Sequence, residues 1–341
     1  MAVVSIIDDE DKRYEYLVDS SLPPIGKGGM GTVFRGVRVD RDNPENRKDV
    51  AVKFIHEGES AILDRERRSA NIVIHSDNVV EMMGFITMTV QTAKGMLERH
   101  FVVSELLNGV SLLNLVKGVT KDINGNDFEY AKMLFQRFRI DRRQFVIDVV
   151  GQVLKGLEDI HRAGYMHRDI DPSNIMITDK GQVKIIDFGI AKKFGSGADY
   201  AEAAMKGATQ YGMGMGKVMY ASPEVFMGEL DKQDARADLY SVGIMIYALT
   251  VGHLPFSGTV TEITVKKATK PIPVEDIEDS HLRSVVKNST DVEPSKRYGS
   301  AQQFHDDLVN ADSPNSRGKL IAIAIVAALA VGAVIAAAVM L

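Results

Sequence analysis

The sequence predicts an α+β fold in which a small β-rich lobe precedes a larger helical lobe, followed by one transmembrane helix. Residues 14–107 hold short runs of β-branched and aromatic residues separated by turn residues, which is typical of strands. Residues 145–163 instead carry apolar side chains at the three- and four-residue spacing of a helix. Residues 320–341 are apolar throughout except for Gly332. A β-rich lobe followed by a helical lobe predicts a cleft between the two.

The elements of each lobe follow from these local patterns. The β-rich lobe is placed at residues 14–106, with strands at residues 32–39, 50–55, 79–87 and 101–106 and a helix near residues 61–71. The helical lobe is placed at residues 107–309, with helices at residues 145–163, 237–252 and 301–310. Residues 1–13 contain an acidic cluster and no basic start of a secretory signal, so they are predicted to be an N-terminal tail.

The apolar run at residues 320–341 is the predicted transmembrane helix. As a helix it would extend about 33 Å, enough to cross the hydrocarbon core of a bilayer. A buried, alanine-rich core helix is the alternative, but such a helix normally shows a polar face. Residues 310–319 are predicted to be a linker, and they include Arg317 and Lys319 just before the apolar run. By the positive-inside rule, we expect a single-pass membrane protein with its preceding domain in the cytoplasm.

The composition excludes several classes of function. Hydrophobic residues make up 45% of the chain and charged residues 26%, as in ordinary globular proteins. The net charge of -5 provides no broad basic surface, so we expect no nucleic-acid partner. The chain has no cysteine, which excludes disulfides, thiolate nucleophiles and cysteine-based metal sites.

A glycine-rich stretch between two predicted strands is the first motif that carries chemistry. Residues 26–33 read Gly-Lys-Gly-Gly-Met-Gly-Thr-Val, and Ala51-Val52-Lys53 follows on the next strand. Alone, such a stretch is often only a tight turn. The order of glycine loop, strand and lysine differs, however, from the strand-loop-helix order of a Rossmann unit or a P-loop. Glycines would let the backbone close over a triphosphate.

Two further motifs complete the set that phosphoryl transfer requires. Residues 166–174 read Met-His-Arg-Asp-Ile-Asp-Pro-Ser-Asn, and residues 187–189 read Asp-Phe-Gly. The reaction needs an acceptor for a hydroxyl proton, ligands for magnesium and a cation near the phosphates. Each triplet is weak evidence by itself, but their occurrence in this order after the glycine loop and Lys53 is specific.

On these motifs, the chain resembles the eukaryotic-like Ser/Thr protein kinases of bacteria over residues 14–309. The resemblance implies a bilobal protein kinase fold that uses ATP and Mg²⁺, or Mn²⁺, to phosphorylate protein substrates. It implies that Asp169 accepts the substrate proton and that Asn174 and Asp187 hold the metal. Glu66 would pair with Lys53, and the two would set the triphosphate. The nucleotide-binding residues that it implies are Gly26, Lys27, Gly28, Gly31, Val33, Ala51, Lys53, Glu105 and Leu107.

The chain departs from the family at two catalytic positions and in one insertion. Asp171 stands where the family has a lysine, and Lys217 stands where it has a threonine. We expect Lys217 to return the missing cation to the active site as a catalytic residue, and an eroding site is the plainer alternative. Residues 121–143 form an insertion with several arginines, which would be a solvated face or a docking surface.

Three functions remain open at this stage. The first is ATP-dependent phosphorylation of Ser or Thr residues in proteins, as part of signalling at the membrane. The second is a catalytically weak pseudokinase that acts as a nucleotide-binding membrane scaffold, although the motifs retain the base and both metal ligands. The third is a kinase-like enzyme that acts on a small molecule. Assembly into a homodimer is also left open.

Overall fold

The structure, a computed structural model, describes residues 3–28, 31–56, 60–187, 192–193 and 219–310. Within these ranges, the first lobe is a seven-stranded antiparallel sheet. Its strands are β1 (Val3–Ile7), β2 (Tyr14–Asp19), β3 (Gly26–Gly28), β4 (Gly31–Asp40), β5 (Arg47–Ile55), β6 (Met82–Thr92) and β7 (Gly95–Glu105). The strand order is β1-β2-β4-β5-β7-β6, and β3 pairs with β4. Helix α1 (Ser60–Ala70) packs against β6 and β7.

Strand β1 corrects the predicted N-terminal tail at residues 1–13. It pairs with β2, and Ile6 is completely buried in the core of the sheet. Just beyond it, the Asp9 N–H donates to the carbonyl of Thr87 at 2.9 Å. The Asp9 carboxylate in turn accepts from the Thr89 N–H at 2.9 Å. The run is too short to give a clear sequence signal, and its stability comes from pairing with β2 and from burial of Ile6.

Replacing Ile6 by alanine should lower the free energy of unfolding by about 2–4 kcal/mol, because it leaves a cavity in a core that cannot fully collapse. The measurement is urea unfolding of the purified chain. Val3 on the same strand is 53% exposed, so Val3→Ala is the matched control and should change stability little. Equal, small effects of the two substitutions would show that residues 1–13 behave as a tail after all.

The second lobe is helical and is built around two buried helices. Its helices are α2 (Leu112–Val116), α3 (Glu129–Ile140), α4 (Arg142–Arg162), α5 (Pro223–Phe226), α6 (Arg236–Val251), α7 (Val260–Thr269), α8 (Ser280–Ser289) and α9 (Ala301–Val309). Short strands also occur: β8 (Gly109–Ser111), β9 (Tyr165–Met166), β10 (Ile175–Thr178), β11 (Val183–Ile185) and β12 (Lys192–Lys193). Helices α4 and α6 pack against each other, and α6 is buried on nearly all sides.

The predicted fold class is confirmed for the two lobes. The helices predicted at residues 145–163, 237–252 and 301–310 correspond to α4, α6 and α9, with boundaries shifted by three residues or fewer. The strand predicted from residue 79 begins only at Met82. Residues 79 and 80 instead bridge to β11, with the Val80 N–H donating to the carbonyl of Ile185 at 2.9 Å. This contact ties the sheet to the helical lobe.

Several predicted features lie outside the described residues. They include residues 311–319 of the linker, the transmembrane helix at residues 320–341 and the catalytic Lys217. Among the helices of the described ranges, none is both long and apolar enough to cross a bilayer. The boundaries at residues 309 and 319 stay predictions.

Candidate active site

The glycine-rich stretch is a hairpin of β3 and β4, and β4 pairs with β5 in the same sheet. Strands β3 and β4 pair Gly26 with Val33 and Gly28 with Gly31. A Cβ atom on Gly31 would lie 2.5 Å from the carbonyl oxygen of Phe54 on β5, closer than any side chain tolerates. Glycine is therefore required for the hairpin to approach β5 this closely. The tip of the hairpin, residues 29 and 30, lies outside the described residues.

Lys53 and Glu66 form the ion pair that the resemblance implies. The Lys53 ammonium donates to both carboxylate oxygens of Glu66, each at 2.9 Å. Glu66 lies on α1 and is only 2% exposed, so its charge is compensated by Lys53 in a site of low polarity. Lys53 is the cross-strand partner of Val33 on β4, and directly paired residues share one face of a sheet. This face also carries Ala51, two residues away on β5.

The predicted adenine contacts, Glu105 and Leu107, lie at the last residue of β7 and two residues after it. The Glu105 N–H is already used, donating to the carbonyl of Glu81 at 2.9 Å. The Glu105 carboxylate accepts from the Lys184 ammonium at 2.7 Å and from the Glu81 N–H at 2.9 Å. Lys184 lies on β11 and is buried. Lys184 of the second lobe therefore fixes the position of the Glu105 side chain.

The loop of residues 167–174, called the catalytic loop after its predicted role, brings Asp169 and Asn174 close to the start of the Asp-Phe-Gly motif. The Asn174 side chain donates to the carbonyl of Asp169 at 2.8 Å, and the Ile186 N–H donates to the carbonyl of Asn174 at 2.9 Å. Asp187 is the next residue, and it has a φ of 65°. Arg168, beside Asp169, has a φ of 66°. Left-handed backbone at non-glycine residues costs free energy and is concentrated at functional sites.

Asp238 on α6 fixes the backbone of the catalytic loop through hydrogen bonds. Its carboxylate accepts from the N–H groups of His167 at 2.8 Å and Arg168 at 2.6 Å, and it lies 2.8 Å from Nε2 of His161. Complete burial alone would raise the pKa of Asp238. The hydrogen bond and charge of His161, together with His167, outweigh this effect and keep the pKa below its ordinary value. Asp238 therefore stays ionised and fixes the strained backbone before Asp169.

Asp171, the first departure from the family, caps a short 3₁₀ helix at Pro172–Asn174. Its carboxylate accepts from the Ser173 N–H at 2.6 Å. Burial, with a smaller contribution from the Asp171 carboxylate, raises the pKa of Tyr220. Tyr220, which comes three residues after Lys217 in the chain, is therefore within electrostatic range of Asp171.

The buried pair of Glu224 and Arg297 supports helix α5, which begins three residues after Tyr220. Arg297 donates to the two carboxylate oxygens of Glu224 at 2.7 and 2.9 Å, and also to the backbone carbonyls of Asp291, Val292 and Arg236. All five of its N–H donors are thereby used.

Lys267 on α7 is a contact that sequence reasoning missed. Its ammonium donates to the carbonyl of Ala221 at 2.7 Å and lies 5.4 Å from the centre of the Tyr240 ring. Burial lowers the pKa of Lys267 to about 7. A lysine in an amphipathic helix gives no local signal of burial. Lys184 was missed for the same reason, because a single lysine in a strand usually points to solvent.

The donor set fits a magnesium-bound nucleotide. Asn174 and Asp187 offer an amide and a carboxylate oxygen, and Mg²⁺ completes such a set with phosphate oxygens and water. In the described ranges, no group of three or more His, Cys, Asp or Glu side chains is placed to hold a metal by itself. The Lys53 ammonium, held by Glu66, would supply the cation beside the phosphates.

The chain is similar to known proteins over most of its length. A model of the protein kinase domain matches residues 20–312. Serine/threonine-protein kinase PknL of Mycobacterium bovis is 31% identical over 299 residues, which cover 86% of this chain and 64% of PknL. Serine/threonine-protein kinase PknA of Mycobacterium tuberculosis is 31% identical over 291 residues, covering 83% and 58%. The chain thus spans less than two thirds of the length of these relatives. With its family match, the chain belongs to the protein kinase domain family.

Proposed function

We propose that this chain is a Ser/Thr protein kinase that transfers the γ-phosphoryl group of ATP to hydroxyl groups of protein substrates. The ion pair of Lys53 with the buried Glu66 carries the proposal, since it holds an ammonium group in place on the cleft face of the sheet. Relatives named as serine/threonine-protein kinases support the substrate class. Magnesium, or manganese, would supply Lewis acidity at the phosphates when bound.

Each catalytic residue then has one task. Asp169 accepts the proton of the substrate hydroxyl, and its position is fixed by the hydrogen bond from Asn174 to its carbonyl. Asn174 and Asp187 hold the metal, and Lys53 orients the phosphates. Gly26, Gly28 and Gly31 place backbone close over the triphosphate, while Glu105 and Leu107 offer backbone groups to adenine. Lys27, Val33 and Ala51 line the same nucleotide site.

A nucleotide-binding scaffold without catalysis is the second candidate, and the exchange at Asp171 is the observation that favours it. The decisive assay incubates the unaltered chain with γ-labelled ATP, Mg²⁺ and a generic protein substrate. Label on Ser or Thr, identified by mass spectrometry, supports the kinase. Binding of ATP without any label on protein supports the scaffold, and label on an added small molecule alone supports the third hypothesis.

We propose further that Asp171 and Lys217 are a compensated exchange. The nearness of Tyr220 to Asp171 supports this, because the chain returns toward the catalytic loop three residues after Lys217. The Lys217 ammonium would then lie between Asp169 and Asp171 and stabilise charge on the γ-phosphate.

Lys217→Thr should slow phosphoryl transfer by about a hundredfold, which is typical for loss of one charge stabiliser. Asp171→Lys should also lose activity, because two cations would then crowd one site. The double variant restores the family pattern and should recover much of the loss, a strong coupling in a double-mutant cycle of kcat. Asp171→Asn is the control, since asparagine retains the cap on Ser173 without the charge. Additive effects of the two single changes would show an eroding site.

We also propose that residues 320–341 anchor the catalytic domain at the cytoplasmic face of a membrane. The apolar run and the preceding Arg317 and Lys319 support this. The full chain should stay with the membrane pellet after carbonate extraction, whereas a chain ending at Asn315 should be soluble. A full chain in the supernatant would contradict the anchor.

A further inference from the structure

The insertion at residues 121–143 begins with a tight loop, residues 122–126, which we call the latch loop. The Asp122 carboxylate accepts from the N–H groups of Asn124 and Asn126, both at 2.8 Å. The Asp122 N–H donates to the carbonyl of Asn126 at 2.8 Å, and Gly125 has a φ of 81°. These bonds define one conformation for the loop and fix the position of the Asn124 side chain.

Asn124 connects the two lobes. Its Oδ1 accepts a hydrogen bond from the Arg35 guanidinium on β4, and its Nδ2 donates to Oδ1 of Asn108 at 3.2 Å. Asn108 in turn donates to the carboxylate of Asp179 at 2.9 Å. A continuous chain of side-chain hydrogen bonds thus runs from the sheet of the first lobe to the β10–β11 turn of the second.

The register of the sheet places this chain at the nucleotide cleft. Arg35 is the cross-strand partner of Ala51, which is itself the partner of Ser104 on β7. Arg35 therefore shares a face with Val33 and Lys53. Asn108 follows directly after Leu107, a predicted adenine contact. The contact between Arg35 and Asn124 accordingly closes the cleft at the edge beside Leu107 and Asn108.

The remainder of the insertion is packed against the second lobe and so fixes the position of the latch loop. Helix α3 packs against α4, and Arg137 on α3 forms an ion pair with Asp148 on α4. Arg142 donates to the carbonyl of Thr250 at 2.8 Å, and Arg143 lies 3.3 Å from the carboxylate of Asp279. These three arginines are thus engaged within the lobe, whereas Arg139 is exposed.

We propose that Arg35 and Asn124 act as a latch that holds the lobes together and gates both entry and release of the nucleotide. The inference rests on the proposed binding of ATP. Opening the cleft separates β4 from the latch loop and breaks a hydrogen bond with a charged donor. Arg35 Nε is also shielded from solvent without a hydrogen-bond partner among the described residues, so the guanidinium is held by Asn124 rather than by neighbours on its own sheet.

Stopped-flow measurements with an ATP analogue labelled at its γ-phosphate, in the presence of Mg²⁺, test the latch. Arg35→Ala and Asn124→Ala should each release the analogue about tenfold faster, the factor that corresponds to one hydrogen bond to a charged group. Binding should also become faster, because the cleft opens more often. The double variant should match either single variant, since both remove one contact.

Asn126→Ala is the matched control, because Asn126 lies on the same loop and supports it through its backbone groups. It should leave both rates unchanged, and thermal unfolding should show all variants folded. Unchanged rates in Arg35→Ala would overturn the latch and leave ATP binding intact. Faster release without faster binding would also overturn it, because Arg35 would then be a direct ligand contact. Failure of the unaltered chain to bind the analogue would overturn the proposed function together with the latch.

Discussion

Replacing Asp187 by asparagine should reduce phosphoryl transfer by at least about a thousandfold while leaving the fold intact, because the reaction depends on a metal that this carboxylate would hold. Asp187 is exposed, and asparagine has nearly the same volume, so the substitution leaves no cavity in the core. The measurements are kcat with γ-labelled ATP and thermal unfolding of the same preparation. Retention of full activity would contradict the kinase assignment.

Lys53→Met should reduce phosphoryl transfer as much as Asp187→Asn does. Unlike Asp187→Asn, it should also lower the free energy of unfolding. Glu66 is buried and both of its oxygens accept from Lys53, so the substitution leaves a buried carboxylate without its counter-charge. Adding Glu66→Gln should restore stability and leave activity absent. Lys48→Met on the same strand is the control, since its ion pair with Glu81 is exposed and contributes little.

Removing one partner of the Glu224–Arg297 pair should lower the free energy of unfolding by about 3–5 kcal/mol, the usual cost of a buried charge left alone. Arg297→Met leaves the Glu224 carboxylate buried, and it also removes the donors to three backbone carbonyls. Urea unfolding measures the loss. The combination Arg297→Met with Glu224→Gln should recover part of it, because no charge is then uncompensated.

The control for this experiment is Lys232→Met, which removes an exposed ion pair with Glu229. It should leave the free energy of unfolding nearly unchanged. If Arg297→Met and Lys232→Met had equal effects, the buried pair would have no special role in holding helix α5.

The sequence predicted the lobes and the main helices because these depend on local periodicity. Helices α4 and α6 carry long apolar patterns, and the position of Lys53 on a strand was clear from the alternation around it. The pairing of Lys53 with Glu66 came only from the family resemblance, because no local pattern shows which carboxylate lies beside a given lysine.

The features that escaped prediction depend on residues distant in the chain. Strand β1 is short and is stabilised by its pairing with β2. The contact between Arg35 and Asn124 joins residues 89 positions apart, and the sequence around Asn124 indicates only a turn. Lys184 and Lys267 are buried because their ammonium groups meet carbonyl oxygens from elsewhere in the fold.

The position of β1 affects how other chains can meet the first lobe. In the sheet order, β1 and β6 are the two outer strands, and hydrogen bonds from Asp9 to Thr87 and from Thr89 to Asp9 bring them together. Outer strands normally offer free backbone groups to a strand of another molecule, a process called β-augmentation. Asp9, just after β1, already occupies part of the β6 edge at residues 87–89. A strand of another molecule that pairs with β6 at these residues must therefore displace Asp9.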